Sequence, residues 1–338
     1  MKGDYWDVIT AKPAAELAQE VQRLEGLGLH GAWAYQLFSP PFPTLAAAAM
    51  ASTKLKIGTG IALAFTRSPV ETALNALDLD RISGGRMVLG LGTSIRSFNQ
   101  NVHGVEYGKP VAHLREVTQA VRAIIEQGHT GKLGRFDGTY FKADYAAGNF
   151  FLPPPVRPSI PIWLPALFDN TIELAARIGD GLIGHPMWSL KSMASSSEKV
   201  AGVLTRSGRE RGKFHINFWN YVAIADDRKA AIASMRSSVA FYASIAQYEK
   251  YFAEHGFGAE ARRASEAAAR KDTAAMVAAI PDEMVTTFAI AGTPDDARDR
   301  VDEMWRYADS LTLLPPPYAP LKLQATYSAA IADTFYRG

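Results

Sequence analysis

The residues of this 338-residue chain best suited to chemistry are small and polar, and they gather where apolar runs end. Tyr35 and Gln36 close one run, and Thr59, Gly60 and Ile61 sit inside another. Thr93, Ser94 and Arg96 follow a third, Ala166 to Asn170 a fourth, and His185 a fifth. Hydroxyls, a guanidinium and exposed backbone amides suit a phosphate or another polar cofactor tail. Each also has a plainer reading. Thr59 within Ile57-Gly-Thr-Gly-Ile61 can line a barrel with its hydroxyl satisfied, and Thr93 and Ser94 can cap the next helix. Arg96 can be a surface cation, and His185 before Pro186 a structural residue.

What is missing narrows the chemistry further. Cysteine is absent, which excludes disulfides, thiolate catalysis and sulfur-ligated metals, and fits a reducing compartment. His30, His103, His113, His129, His215 and His255 show no metal-ligand spacing, so no metal site is expected. No Ser–His–Asp order and no pair of carboxylates at strand ends can be assembled. A protein so equipped needs a cofactor for difficult chemistry.

The elements that must position these residues follow from periodicity. Leu17, Val21 and Leu24 have helical spacing, Gly26-Leu-Gly28 stops that helix, and Ala32-Trp-Ala-Tyr35 reads as a buried strand. A small-residue helix (45–51), a strand (55–62) and a helix opening at Ser68-Pro69-Val70-Glu71 come next. Met87 to Leu91 forms a strand, His113 to Glu126 a helix, and further strands fall at 160–165, 181–184, 216–225 and 310–314. Short apolar runs between amphipathic helices signal parallel strands covered on both faces. About eight such units suggest a single (β/α)8 TIM barrel of α/β class spanning residues 1–338. An open doubly wound sheet would carry a G-x-G-x-x-G turn after its first strand, and none is present. Two segments break the rhythm. Residues 129–159 read as a hairpin-containing insertion before strand five, and 226–290 as an Ala-rich helical excursion between strands seven and eight.

The formal net charge of +2 is spread along the chain without a basic stripe, so nucleic acid is not an expected partner. The stretch MKGDYWDVIT carries acids where a signal peptide has its apolar core, and no run is long and apolar enough to cross a membrane. The expected setting is cytoplasmic.

Several stretches, in order and at matching spacing over nearly the whole chain, resemble the luciferase-like monooxygenase superfamily. They are Lys56-Ile-Gly-Thr-Gly-Ile-Ala62, Arg67-Ser-Pro69, Leu79-Asp-Arg-Ile-Ser-Gly-Gly-Arg86 and Leu89-Gly-Leu-Gly92. Leu114-Arg-Glu116, Ala175-Ala-Arg-Ile-Gly-Asp-Gly181, His185-Pro186 and Gly292-Thr-Pro294 extend the likeness. Ala240-Phe-Tyr242, His255-Gly256 and Pro281-Asp-Glu-Met284 resemble the branch of oxidoreductases that depend on the deazaflavin coenzyme F-420. The resemblance implies a tricyclic ring seated on a bulge at Thr59, Gly60 and Ile61, often through a non-prolyl cis peptide, with the phosphate held by Thr93, Ser94, Arg96, Ala166 and Asn170. It also implies Gln36 and His185 as catalytic positions, a small-molecule substrate and a homodimer.

This chain departs from the family pattern twice. Relatives carry an acid or histidine after strand two, where this chain has Tyr35-Gln-Leu-Phe-Ser-Pro-Pro-Phe42. After strand five, a Gly-x-Gly-type turn is replaced by Pro165-Ala-Leu-Phe-Asp-Asn170, so Phe168 adds bulk and Asp169 a negative charge. More of any phosphate contact is therefore expected from Arg96, Thr93 and Ser94. Three readings stay open: an F-420-dependent oxidoreductase transferring hydride, a two-component monooxygenase using reduced FMN from a flavin reductase, and a cofactor-free relative with a binding role.

Overall fold

In the computed structural model, which describes residues 3–37 and 39–337, the alternating pattern resolves into a (β/α)8 barrel. Its strands are β1 (Asp4–Val8), β2 (Gly31–Ala34), β3 (Lys56–Thr59), β4 (Met87–Gly92), β5 (Ile162–Ala166), β6 (Gly181–Gly184), β7 (His215–Ile224) and β8 (Ser310–Leu314). The hydrogen-bonded order is β7-β8-β1-β2-β3-β4-β5-β6, and β6 pairs back to β7. The chain divides into two compact units. The larger comprises Trp6–Ile183 and Ser196–Asn217, and the smaller holds the other described residues.

In the larger unit the strands alternate with α1 (Ala14–Gly26), α2 (Pro41–Ala51), α3 (Pro69–Ser83), α4 (Pro110–Gln127) and α5 (Asp169–Ile178), while α6 (Leu190–Arg206) lies largely within it. Local chemistry sets the helix ends. Ser68 Oγ accepts from the Glu71 amide at the start of α3, and Gly84 ends that helix with φ 66°. Tryptophans fill the unit near the N-terminal ends of its strands. Trp6 stacks on Trp33 with centroids 4.0 Å apart, Trp163 tilts against both, and His215 stacks on Trp163 at 4.5 Å. Gly31, Gly58 and Gly181 make room for them, since a Cβ at these positions would overlap Trp6, Trp33 and Trp163 in turn. Gly58 thus serves the indole packing.

Charged residues of the family-like stretches lock this scaffold. Arg86 donates to Ser83 O, Ala49 O, Ser52 O, Ser52 Oγ and Leu55 O, and so closes the C-terminal end of α2. Buried Asp80 accepts a forked contact from Arg157 and a bond from the Met87 amide. Asp180 joins the Ile162 amide to Arg122. Glu116, on α4, accepts from the amides of Thr139, Tyr140 and Phe141, where an antiparallel hairpin (Arg135–Asp137 with Lys142–Asp144) turns.

The smaller unit carries α7 (Arg228–Ala243), α8 (Glu249–Ala253), α9 (Gly258–Ala269), α10 (Thr273–Ala278) and α11 (Asp282–Phe288), followed by α12 (Pro294–Met304) and α13 (Leu321–Ile331). Ile290–Gly292 adds a short strand parallel to β7, so the segment read as wholly helical ends in sheet. Three residues carry too little periodicity to announce a strand. Thr293 and Asp296 form a reciprocal cap at the start of α12. No helix among the described residues is long and apolar enough to cross a membrane.

On β1, Asp7 follows inward-packed Trp6, and burial raises its carboxyl from 3.8 to about 6. The folded state therefore binds the proton more tightly than the unfolded chain. The stability that this proton linkage contributes is fully present below the unfolded pKa and is lost as pH rises through about 6. Asp7→Asn keeps an acceptor for the Val8 amide and removes the ionisation. It should stabilise the protein by about 3 kcal/mol at pH 8 and by less than about 1 kcal/mol at pH 4. Denaturant titrations at the two pH values check this, and an equal gain at both would contradict it.

Candidate functional site

The strand-end residues of the larger unit come together around an interruption after β3. Pairing stops at Thr59, resumes at Ala62–Leu63 against Leu91 and Gly92, and the Gly60–Ile61 peptide between them is cis. The Gly60 amide donates to Ala34 O, and Ile61 O accepts from the Gln36 amide at 3.0 Å. Fully buried Thr59 spends its hydroxyl on Gly90 O at 2.7 Å. Its side chain thus holds the bulge from within, as the plainer reading had it. A Cβ at Gly90 would overlap the Thr59 carbonyl, so only glycine lets β4 come this close. The Ile61 side chain folds over Gly92, where a Cβ would overlap Cδ1 of Ile61. At the bulge, then, Gly60 carries no side chain and that of Ile61 is turned toward Gly92.

Gln36 braces this bulge. Its Oε1 accepts from the Leu63 amide at 3.0 Å and from Arg67 at 2.7 Å, and its Nε2 donates to Thr66. An amide so engaged does not titrate and transfers no proton. Burial lowers the pKa of Arg67, whose guanidinium also lies over Phe42, 5.1 Å from the ring centroid. Beside it a cleft of about 320 Å³ is walled by Phe65, His113 and Tyr140, stacked in that order at 3.7 and 4.1 Å. Burial holds the His113 imidazole below its usual range. Of the segment after β2, Phe38 lies outside the described residues.

The loop after β4 is tightly tied. Ser94 adopts φ 55°, a conformation costly for a residue with a Cβ. Buried Asn99 donates to Thr93 O at 2.7 Å and Ile95 O at 3.0 Å, while Tyr107 donates to Ser94 O at 2.9 Å. Exposed Arg96 lies over the Tyr107 ring, 4.9 Å from its centroid, and has no carboxylate partner among the described residues. The Thr93 hydroxyl donates to Ser94 O, so the side chain expected to meet a phosphate is already used. Asn99 and Tyr107 were not recognised in the sequence because neither follows an apolar run. Gly90 did leave a trace, as the middle of an alternating small-residue strand.

After β5, Ala166 is buried and Asn170 lies exposed in the first turn of α5. Thr171 Oγ1 accepts from the amides of Leu167 and Phe168. Asp169 is not a bare negative charge, since Lys199 pairs with it at 2.6 Å. The expected repulsion of an anion is weaker for that reason, although the pair is exposed.

His185 belongs to the smaller unit. Its Nδ1 accepts from the Met187 amide at 3.3 Å, which places the proton on Nε2, and that atom is buried without a partner among the described residues. Tyr242 and Tyr248 flank the ring at 4.6 and 4.9 Å, and burial drives its pKa down to about 3. The imidazole is neutral at physiological pH and can donate a hydrogen bond from Nε2. In the same unit, Ser189 and Ser192 both meet His255 Nε2, at 2.7 and 3.0 Å. Ser189 is buried and accepts from the Ser192 amide, so it caps α6 and is not poised as a nucleophile.

The sequence model of the luciferase-like monooxygenase family matches residues 4–310. An uncharacterized protein of Mycobacterium tuberculosis is 33% identical over 288 residues, 83% of this chain and 84% of that protein. The 5,10-methylenetetrahydromethanopterin reductase of Archaeoglobus fulgidus is 27% identical over 318 residues, 91% of each chain. The solved structure of the coenzyme F-420 dependent tetrahydromethanopterin reductase from Methanopyrus kandleri superposes with a TM-score of 0.81 at 22% identity. That match covers 99% of this chain and 98% of the reductase.

The close approach of β4 to the bulge predicts the effect of one methyl group. Gly90→Ala must push Thr59 away and break its hydroxyl bond, so it should destabilise the protein by about 2–4 kcal/mol. Gly134→Ala, where a Cβ meets nothing within 4 Å, is the control and should be nearly neutral. Equal thermal melts for the two variants would contradict this account of the bulge.

Proposed function

Since this chain belongs to the luciferase-like monooxygenase family, we propose that it is an oxidoreductase that moves hydride between coenzyme F-420 and a small organic substrate. The observation that carries this reading is the bulge at Gly60 and Ile61, where Gly60 carries no side chain and that of Ile61 turns toward Gly92, which suits the close approach of one face of a planar tricyclic ring. Similarity to a putative coenzyme F-420-dependent oxidoreductase of Mycobacterium tuberculosis, 30% identical over 329 residues, favours the deazaflavin over FMN. When bound, a deazaflavin supplies a ring carbon that accepts or gives up hydride.

The protein's own residues bind and orient. Thr59, through its bond to Gly90 O, and Gln36, through Ile61 O and the Leu63 amide, hold the bulge in place. Arg96 supplies the charge for a phosphate, with the loop at Thr93 and Ser94 beside it, and Ala166 and Asn170 line the approach after β5. Neither Gln36 nor neutral His185 acts as a base, so a proton needed at the substrate comes from solvent or from the substrate itself.

Titrating the purified protein with F-420 and with FMN tests the proposal. F-420 should bind at least about tenfold more tightly, a difference of roughly 1.4 kcal/mol. Tighter FMN binding would favour the two-component monooxygenase, and binding of neither would favour the cofactor-free reading. Gly60→Val should abolish binding of the preferred coenzyme while the far-ultraviolet circular dichroism stays unchanged. Unaltered affinity in a folded Gly60→Val protein would place the ring elsewhere.

A further inference from the structure

We infer that Tyr107 and Asn99 are the positioning residues of the phosphate site, acting on Arg96 and on the 93–95 backbone without touching the ligand themselves. This inference rests on the reading that Arg96 meets the cofactor phosphate. Three consecutive carbonyls, Thr93 O, Ser94 O and Ile95 O, are all bound, by Asn99 Nδ2, Tyr107 OH and Asn99 Nδ2 in turn. A peptide plane whose oxygen is anchored on one side directs its N–H to the other. Ser94 stands in the left-handed region, as do residues of the turns in which successive amides can face an anion.

Tyr107 links backbone and charge. Its hydroxyl holds Ser94 O, while its ring carries the Arg96 guanidinium at 4.9 Å. An exposed arginine otherwise samples many rotamers, and ordering it on binding reduces affinity. The ring keeps the cation next to the loop in advance. Phe65 packs edge-on against Tyr107 at 5.8 Å, and Phe65 in turn stacks on His113. The site's charge is thereby braced through the aromatic ladder to α4. Asn99 is fully buried, its backbone amide bonds Ile95 O, and both hydrogens of its Nδ2 are spent on this loop, while its Oδ1 has no partner among the described residues. Sequence position separates Tyr107 from Arg96 by a whole loop, and only the fold brings them together.

The test measures dissociation constants for the coenzyme that the wild-type protein prefers, F-420 or FMN. The same constants are measured for its phosphate-free core, 8-hydroxy-5-deazariboflavin or riboflavin. Tyr107→Leu and Asn99→Asp should each weaken the phosphate-bearing ligand by about tenfold and leave the core within about twofold. Tyr107→Phe, which keeps the ring under Arg96, should fall between wild type and Tyr107→Leu. Arg96→Ala serves as the reference for the site itself. If Arg96→Ala weakens binding while Tyr107→Leu and Asn99→Asp do not, the positioning role is wrong and the phosphate site stands. If Arg96→Ala has no effect either, the phosphate does not sit on this loop and both claims fall. Equal loss for ligand and core overturns the inference as well, because a merely structural role predicts that result. If Asn99→Asp does not fold, the half-buried Tyr107 series decides alone.

Discussion

The contact between the Gly90 backbone and the Thr59 carbonyl is the constraint on which the larger unit's strand ends depend. It lets β4 run against the interruption in β3 with no side chain between them. From it follow the buried Thr59 hydroxyl bond, the short return of pairing at Ala62–Leu63, and the bulge at Gly60 and Ile61 between them. Gly92 repeats the device one pleat further on, where it receives the Ile61 side chain. Close packing at 0.7–0.8 of the available volume leaves about no slack for a methyl group in such places. Glycine there is a steric requirement more than a source of flexibility.

Around that contact, scaffold and chemistry are divided among residues that look alike in sequence. Arg86, Arg157 and Arg122 are bound into the frame through backbone carbonyls and buried or half-buried carboxylates. Among the described residues, Arg96 is held by an aromatic face and has no carboxylate partner. An arginine satisfied by several carbonyls has no capacity left for a ligand, whereas one resting on a ring retains its full hydrogen-bonding fork. The distinction between the two kinds is therefore one of partners. The family-like stretch with the most charged residues, Leu79 to Arg86, lies on the scaffold side.

Much of the barrel was legible because its causes are local. Glycine-bounded apolar runs mark the strands, and Ser68 and Thr293 announce helices by the caps that they form. The short strand at Ile290–Gly292 was not legible, since three small and apolar residues carry no period. For the site, the family resemblance implied a bulge at Thr59, Gly60 and Ile61, and strand-end position pointed to the loops after β4 and β5. It did not reveal what each side chain would do there. Thr59 and Thr93 turned inward, Gln36 became a brace, and Asp169 found Lys199, thirty positions away. Asn99 and Tyr107 escaped notice because their importance is created by what folds next to them. A sequence shows residue type and order, and the partners that decide a polar group's role are set by tertiary structure.

The stacked pair of Trp6 and Trp33, with Trp163 leaning on both, has an optical consequence. Indoles 4.0 Å apart and only 17° from parallel couple their electronic transitions, and the coupling depends steeply on separation and angle. The register that places Trp6 opposite Gly31 is thus written into the near-ultraviolet circular dichroism of the protein, at wavelengths where helices are silent. Light absorbed by this cluster reports on the N-terminal ends of the strands. A flavin-type chromophore seated at the opposite ends would add its own bands at longer wavelengths. The two ends of the strands could then be followed separately, by colour, in a single unlabelled sample.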